Sequence, residues 1–147
     1  MAEVKKVAFV HGGFPIGGAE RVTCDIATAL LERGGYEVYV FVREYNPELL
    51  PSNLASDSRF HVIVSPTLDK IKLRKSWEFV IDGVRANGIG TVVFVMIRQY
   101  EIANELRRMG CRTVYANHGT AFWEVPDKRQ RARQNSHKGL VKAAKYY

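Results

Sequence analysis

Residues 7–21 read Val7-Ala-Phe-Val-His-Gly-Gly-Phe-Pro-Ile-Gly-Gly-Ala-Glu-Arg21. An apolar, partly β-branched run meets a glycine-rich stretch, and a helical pattern follows at once. In a parallel α/β sheet such a turn lies at the carboxyl end of a strand, where the free N–H groups of the next helix can face an anion. Gly12, Gly13, Gly17 and Gly18 suit that role, because a residue without Cβ lets a ligand approach the backbone. A plain connection between strand and helix is the competing reading. Gly18 is followed by Ala19-Glu20, so there is no Lys-Ser or Lys-Thr of a Walker A loop, and the glycine spacing is not G-x-G-x-x-G.

Working outward, Lys6–Val10 reads as a first strand covered on both faces. After the loop, Val22, Ile26, Ala29 and Leu30 recur at helical spacing as an inward stripe, and Gly34-Gly35 closes the helix. Glu37–Val42 is the second strand, which completes a βαβ unit with a right-handed crossover. The stretch 43–59 has two prolines and no clean period, and reads as a loop. His61–Ser65 is a third strand. Trp77, Val80, Ile81 and Val84 share one helical face before Gly88, and Thr91–Met96 is the fourth strand. Ile102, Leu106 and Met109 make another stripe, closed by Gly110, and Arg112–Ala116 is the fifth strand. Strands alternating with helices predict an α/β fold, a Rossmann-like, doubly wound parallel sheet of about five strands with helices on both faces.

The chain has 147 residues, enough for one domain that buries about 68–70% of its unfolded surface. No apolar run nears the roughly 18 residues of a membrane span, and the start has no signal-peptide pattern, so the expected location is cytoplasmic. Cys24 and Cys111 form no CxxC or Cys-His cluster and read as small buried hydrophobes. Of the net charge of +7, the segment 127–145 holds +6: seven bases (Lys128, Arg129, Arg131, Arg133, Lys138, Lys142, Lys145) against Asp127. Such a segment can meet phosphates or an anionic membrane surface, here the inner face of the membrane, or can be a solvated helix face with Leu140, Val141 and Ala144 behind it. Few aromatics interleave with these bases, which argues against single-stranded nucleic acid as a partner.

Phe14-Pro15 followed by Gly17-Gly-Ala-Glu-Arg21 resembles the first loop of the GT-B glycosyltransferases of family 4. The match runs through the following helix and second strand, Val22 to Val42, and more loosely to the end of the chain. The resemblance implies that residues 1–147 are the N-terminal, acceptor-side domain of such an enzyme, incomplete at the C-terminal end. The enzyme would move a sugar from a nucleotide-sugar donor to a lipid-linked or saccharide acceptor. It also implies mostly retaining chemistry without bound metal or cofactor, polysaccharide biosynthesis as a setting, and donor-binding residues that belong mainly to a second domain.

Tyr115-Ala-Asn-His-Gly-Thr120 places His118 at the carboxyl end of the fifth strand, where ligands of such sheets bind, and imidazole can take a proton from a hydroxyl near neutral pH. Family members carry a histidine there, so His118 is the expected catalytic residue. Gly13, Gly17, Gly18, His11, Arg98 and Asn117 form the expected substrate- and phosphate-binding set, and no metal ligand is expected. His11 bonded to nearby backbone, and Arg98 as a surface cation, are the plainer readings. Glu20 suits the helix dipole. His61 and His137 read as structural or solvated. The alternative to a transferase is a Rossmann-like nucleotide-binding or regulatory domain, with Glu44 after the second strand holding a ribose.

Overall fold

In a computed structural model, which describes residues 3–15, 17–66 and 75–117, the β-branched and aromatic runs form five parallel strands in the order β3-β2-β1-β4-β5. Along the chain these are β1 (Lys5–Phe14), α1 (Gly18–Arg33), β2 (Tyr36–Tyr45), a short α2 (Ser52–Ala55), β3 (Phe60–Val64), α3 (Glu78–Asn87), β4 (Thr91–Val95), α4 (Tyr100–Arg108) and β5 (Arg112–Ala116). Single 3-10 turns lie at Pro47–Leu49 and Lys75–Trp77. The two-residue alternation of the strands sends Ala8, Val10, Phe41, Val92 and Phe94 to one face, under Val80 and Val84 of α3 and Ile102 and Leu106 of α4. Phe9, Val38, Val40 and Val42 go to the other face, under Cys24, Ala27 and Leu31 of α1 and Leu54 of α2. The sheet is therefore doubly wound, as the alternation of strands and helices predicts.

Several expectations change. First, β1 does not stop at Val10. It runs through Gly12 and Gly13 to Phe14, because β2 extends alongside it, with Cα partners His11–Val42, Gly13–Glu44 and Phe14–Tyr45. Second, α1 turns a different face inward. Thr23, Cys24, Ala27 and Leu31 are buried, whereas Val22 and Ile26 are 40% and 43% exposed and Ala29 is exposed too. The helix carries apolar residues on two adjoining stripes, and the sheet selects the one that includes Thr23. Third, Met109 lies at the C-cap of α4, where the helix has ended, and is exposed. The stretch expected as loop holds α2, whose Leu54 is 1% exposed beneath α1.

Helix α3 comes close to the sheet at Gly83: a Cβ there would lie 2.7 Å from Cζ of Phe41. At the amino ends of the strands, His61 Nε2 donates to Glu37 Oε1 at 2.6 Å and stacks on Tyr39 with ring centroids 4.7 Å apart. Tyr39 Oη donates to the same oxygen at 3.1 Å, and Lys6 Nζ, 3.9 Å from Glu37 Oε2, donates to Asn87 O at 2.8 Å. His61 thus has the structural role read for it. No helix among the described residues is long and apolar enough to cross a membrane.

Candidate functional site

The strand order reverses at β1, whose neighbours are β2 and β4, and ligands of open α/β sheets bind outside the carboxyl ends of the strands at such a switch point. Two segments meet there. On β1, Gly12 lies beside Ile97: a Cβ at this position would be 3.6 Å from Cδ1 of Ile97, an ordinary van der Waals contact. On the other side, β4 ends at Val95 and is followed by Met96, Ile97 and Arg98. Met96 has φ 59, a left-handed conformation that costs a residue with a Cβ about 1–2 kcal/mol, and its side chain is 47% exposed on this rim. Its N–H bonds to Ala116 O at 3.0 Å, which ties the end of β4 to the end of β5.

Of the expected binding residues, Gly13, Arg98 and Asn117 therefore stand at the carboxyl ends of β1, β4 and β5 respectively, Arg98 and Asn117 exposed. His118 lies outside the described residues, as do His137 and the whole basic segment 127–145. Gly17 is the loop's one described glycine with positive φ (106), and it is the N-cap of α1. Gly18 begins α1, with open space where a Cβ would be.

His11 does not face the rim. Its side chain is 1% exposed, its Nε2 is hydrogen-bonded to Thr23 Oγ1 at 2.7 Å, and its Nδ1 is 4.0 Å from Glu20 Oε1. The ring also tilts against Phe14, 5.4 Å between centroids. A side chain of α1 is thus one partner of this ring, which ties β1 to the start of the helix. Glu20, in the first turn of α1, lies close enough to Gly17 that a Cβ there would be 2.7 Å from its Oε2. A carboxylate of the chain itself thus stands at the positive end of α1, where it is favoured electrostatically.

Beside this helix end a cavity of about 460 Å³ opens between Gly17 and Gly18 on one side and Leu49 and Pro51 on the other. Arg21 and Asp25, one helical turn apart, put both charges into its lining, and Cys24 adds a thiol. Burial, helped by the charges of Asp25 and Glu20, pushes that thiol up from its ordinary value, so it stays protonated and is a poor nucleophile. Sequence reasoning missed Arg21 and Asp25. The signal available for them was their i, i+4 spacing on the polar flank of α1.

It also missed Arg43. This residue follows Val42 near the carboxyl end of β2, its guanidinium carbon 6.0 Å above the Trp77 ring, its buried Nε without a hydrogen-bond partner. A guanidinium so placed can offer its fork to a phosphate or carboxylate. Among the described residues, no group of three or more His, Cys, Asp or Glu side chains is gathered as a metal site would need.

No protein-family model and no curated protein matches the chain. Solved structures do. The chain is similar to Phytolacca americana UGT2 complexed with UDP-2-fluoro-glucose and pterostilbene, with a TM-score of 0.56 and 14% identity over 80% of this chain and 31% of that one. The apo form of the same protein gives 0.56 and 14% over 79% and 30%. WaaG, a glycosyltransferase involved in lipopolysaccharide biosynthesis, gives 0.46 and 18% over 70% and 31%. The likeness to UGT2 is one of fold, a Rossmann-like α/β sheet. The chain spans less than a third of the length of the UGT2 chains it resembles.

Proposed function

We propose that the chain is the N-terminal, acceptor-side domain of a GT-B glycosyltransferase of family 4, which transfers a sugar from a nucleotide-sugar to a lipid-linked or saccharide acceptor. The observation that carries this reading is the convergence of Gly12-Gly13 with the strained Met96 and the exposed Arg98 at the switch point between β1 and β4. A UGT2 structure of similar fold holds a nucleotide-sugar analogue, UDP-2-fluoro-glucose, together with pterostilbene, and the match covers 31% of that chain, which leaves room in such an enzyme for a second domain.

In this reading the rim of β1, β4 and β5 receives the acceptor. Arg43 and Arg98 supply positive charge beside it, and amides at the start of α1 add to the field that stabilises a departing diphosphate. His118, which follows Asn117, is the residue proposed to accept a proton from, or hold, a reacting hydroxyl. The chemistry is proposed to be retaining and to proceed without a metal.

The test is to incubate the 147-residue chain with a panel of UDP-, GDP- and ADP-sugars and saccharide acceptors, alone and fused to the coding sequence that follows it. Transfer only by the longer protein, lost on His118→Ala, is the expected outcome. Turnover by the 147 residues alone defeats the two-domain reading. A second reading, a nucleotide-binding domain without transferase activity, draws on Glu44, which is exposed near the end of β2 opposite Gly13. Tight binding of a dinucleotide by the chain, abolished by Glu44→Ala, would favour it.

A further inference from the structure

Arg43 is a half-buried cation without a counter-ion. Its Nε is buried and has no hydrogen-bond partner, and among the described residues no carboxylate forms an ion pair with its guanidinium. What it meets is the ring of Trp77, a residue 4% exposed, 6.0 Å from the guanidinium carbon. Glu44 and Glu78, the acids next to Arg43 and to Trp77 in sequence, are exposed to water. Taking an ionised group out of water is costly unless an opposite charge or hydrogen bonds replace the water, and chains break that rule mainly at functional sites. At the carboxyl rim of a parallel sheet, the missing anion is one that a ligand can bring.

The surroundings of Arg43 say which anion fits. Trp77 is the N-cap of α3 and makes no side-chain capping bond, because indole has a donor and no acceptor. The positive end of a ten-residue helix and an unpaired guanidinium thus converge on one residue. On the other side, β1 and β2 pair His11 with Val42 and Gly13 with Glu44, so Gly12 stands in the row of Arg43. Arg43 meets Trp77 and Gly12 lies beside Ile97, both of the core under α3 and α4, so the two look to the same face of the sheet. The residue between Arg43 and the crevice of β1 and β4 is therefore one without a side chain. A carboxylate spends both oxygens on the Nε–Nη edge of an arginine, whereas a phosphate keeps further oxygens for helix amides. We infer that Arg43 and the start of α3 hold a phosphate group of the acceptor, so that the acceptor is a phosphorylated sugar or a phosphate-bearing lipid. This rests on the reading of the chain as an acceptor-side domain, and names the substrate class within it.

The test titrates the 147-residue chain with glucose 1-phosphate, farnesyl phosphate and glucuronate, and follows the Nε–Hε NMR signal of Arg43, assigned by its loss in Arg43→Lys. Both phosphates should shift that signal and bind about tenfold more tightly than glucuronate, the difference that one further charge-assisted hydrogen bond makes. The tighter of the two tells whether sugar or lipid carries the group. Arg43→Lys, which keeps the charge and loses the Nε edge, should weaken phosphate binding about tenfold. Arg43→Met, which keeps a long stem over Trp77, should abolish it and raise the urea midpoint of the free chain, because an unpaired charge is gone. A lowered midpoint would show that the chain already satisfies this guanidinium, and overturns the inference. So does glucuronate binding as tightly as the phosphates, or phosphate binding that Arg43→Lys leaves unchanged. In the chain fused to the coding sequence that follows it, displacement of glucose 1-phosphate by UDP would assign the site to the donor and overturn the acceptor role. There, kcat/KM for a phosphorylated acceptor should exceed that for its neutral counterpart about tenfold, and Arg43→Lys should erase the difference. Equal use of the two acceptors overturns this inference and leaves the transferase reading standing. Arg43-dependent phosphate binding by a fused protein that transfers no sugar overturns the transferase reading and the acceptor role with it, and leaves a phosphate site.

Discussion

Nε2 of His11 and Oγ1 of Thr23 meet at 2.7 Å in the interior, both residues no more than 2% exposed. The bond joins the carboxyl end of β1 to the second turn of α1, across the loop that the glycines make. His11 therefore holds the start of α1, with Glu20 4.0 Å from its other nitrogen, against the strand that ends at the switch point.

Thr23→Val keeps the shape of the side chain and removes the hydroxyl. A buried polar atom that loses its partner costs about 1–3 kcal/mol, so urea unfolding of this variant should show a loss in that range, and Thr23→Ser should recover most of it. An unchanged midpoint for Thr23→Val would show that the bond contributes nothing net.

Gly17 and Gly18, adjacent and alike in sequence, should respond in opposite ways. Gly17 sits at φ 106, and a Cβ there meets Glu20 Oε2, so Gly17→Ala should destabilise by about 1–2 kcal/mol. Gly18 is the first residue of α1 with open space around it, so Gly18→Ala should leave stability unchanged or raise it by up to about 1 kcal/mol through helix propensity. Thermal melts of the two variants check this, and equal effects would mean that the loop does not discriminate between the positions. In the longer transferase proposed above, lowered transfer by Gly18→Val in a protein of normal stability would point to close approach of a ligand at the start of α1.

The five strands and the two-faced core were legible because each strand is a short apolar run bounded by glycine or by a helical stripe. That pattern needs no knowledge of what lies across the sheet. What depends on a distant partner was not legible. Glycines carry no strand preference, and Gly12 and Gly13 belong to β1 only because Val42–Tyr45 of β2 pair alongside. The inward face of α1 was misread because Val22 and Ile26 are the more apolar pair, while Thr23 is buried through its bond to His11, twelve residues earlier. Arg43 looks like the start of a loop until Trp77, far away in sequence, is seen beneath it.

Gly83, in the middle of α3, should tolerate no side chain while Phe41 lies against it. A Cβ at 83 would stand 2.7 Å from Phe41 Cζ, and Phe41 is fully buried, so its ring has no free space to move into. Gly83→Ala, which on helix propensity alone would stabilise, should instead cost about 1–3 kcal/mol as an overpacked core does. Combining it with Phe41→Leu should give a double variant whose loss is smaller than the sum of the two single losses, measured by chemical unfolding. Additive losses would show that the two positions do not compete for the same space.

The cluster of Lys6, Glu37, Tyr39 and His61 makes stability depend on pH at both extremes. Burial works to raise the Glu37 carboxyl, but hydrogen bonds from His61 and Tyr39 and the charge of Lys6 outweigh it, and the group ends below its ordinary value. A lowered carboxyl contributes stability that is complete above the unfolded range, about pH 4–5, and is lost as pH falls through the lower folded value. Tyr39 is the opposite case. Burial, the hydrogen bond to Glu37 and the charge of Glu37 push its hydroxyl up to about 12. Its contribution is complete below about pH 10 and declines as pH rises toward that folded value. Urea unfolding across the pH range should therefore show Glu37→Gln with a flatter acid limb than the parent chain and Tyr39→Phe with a flatter alkaline limb. Limbs of unchanged slope in both variants would mean that the cluster is not what couples folding to protons at this edge of the sheet.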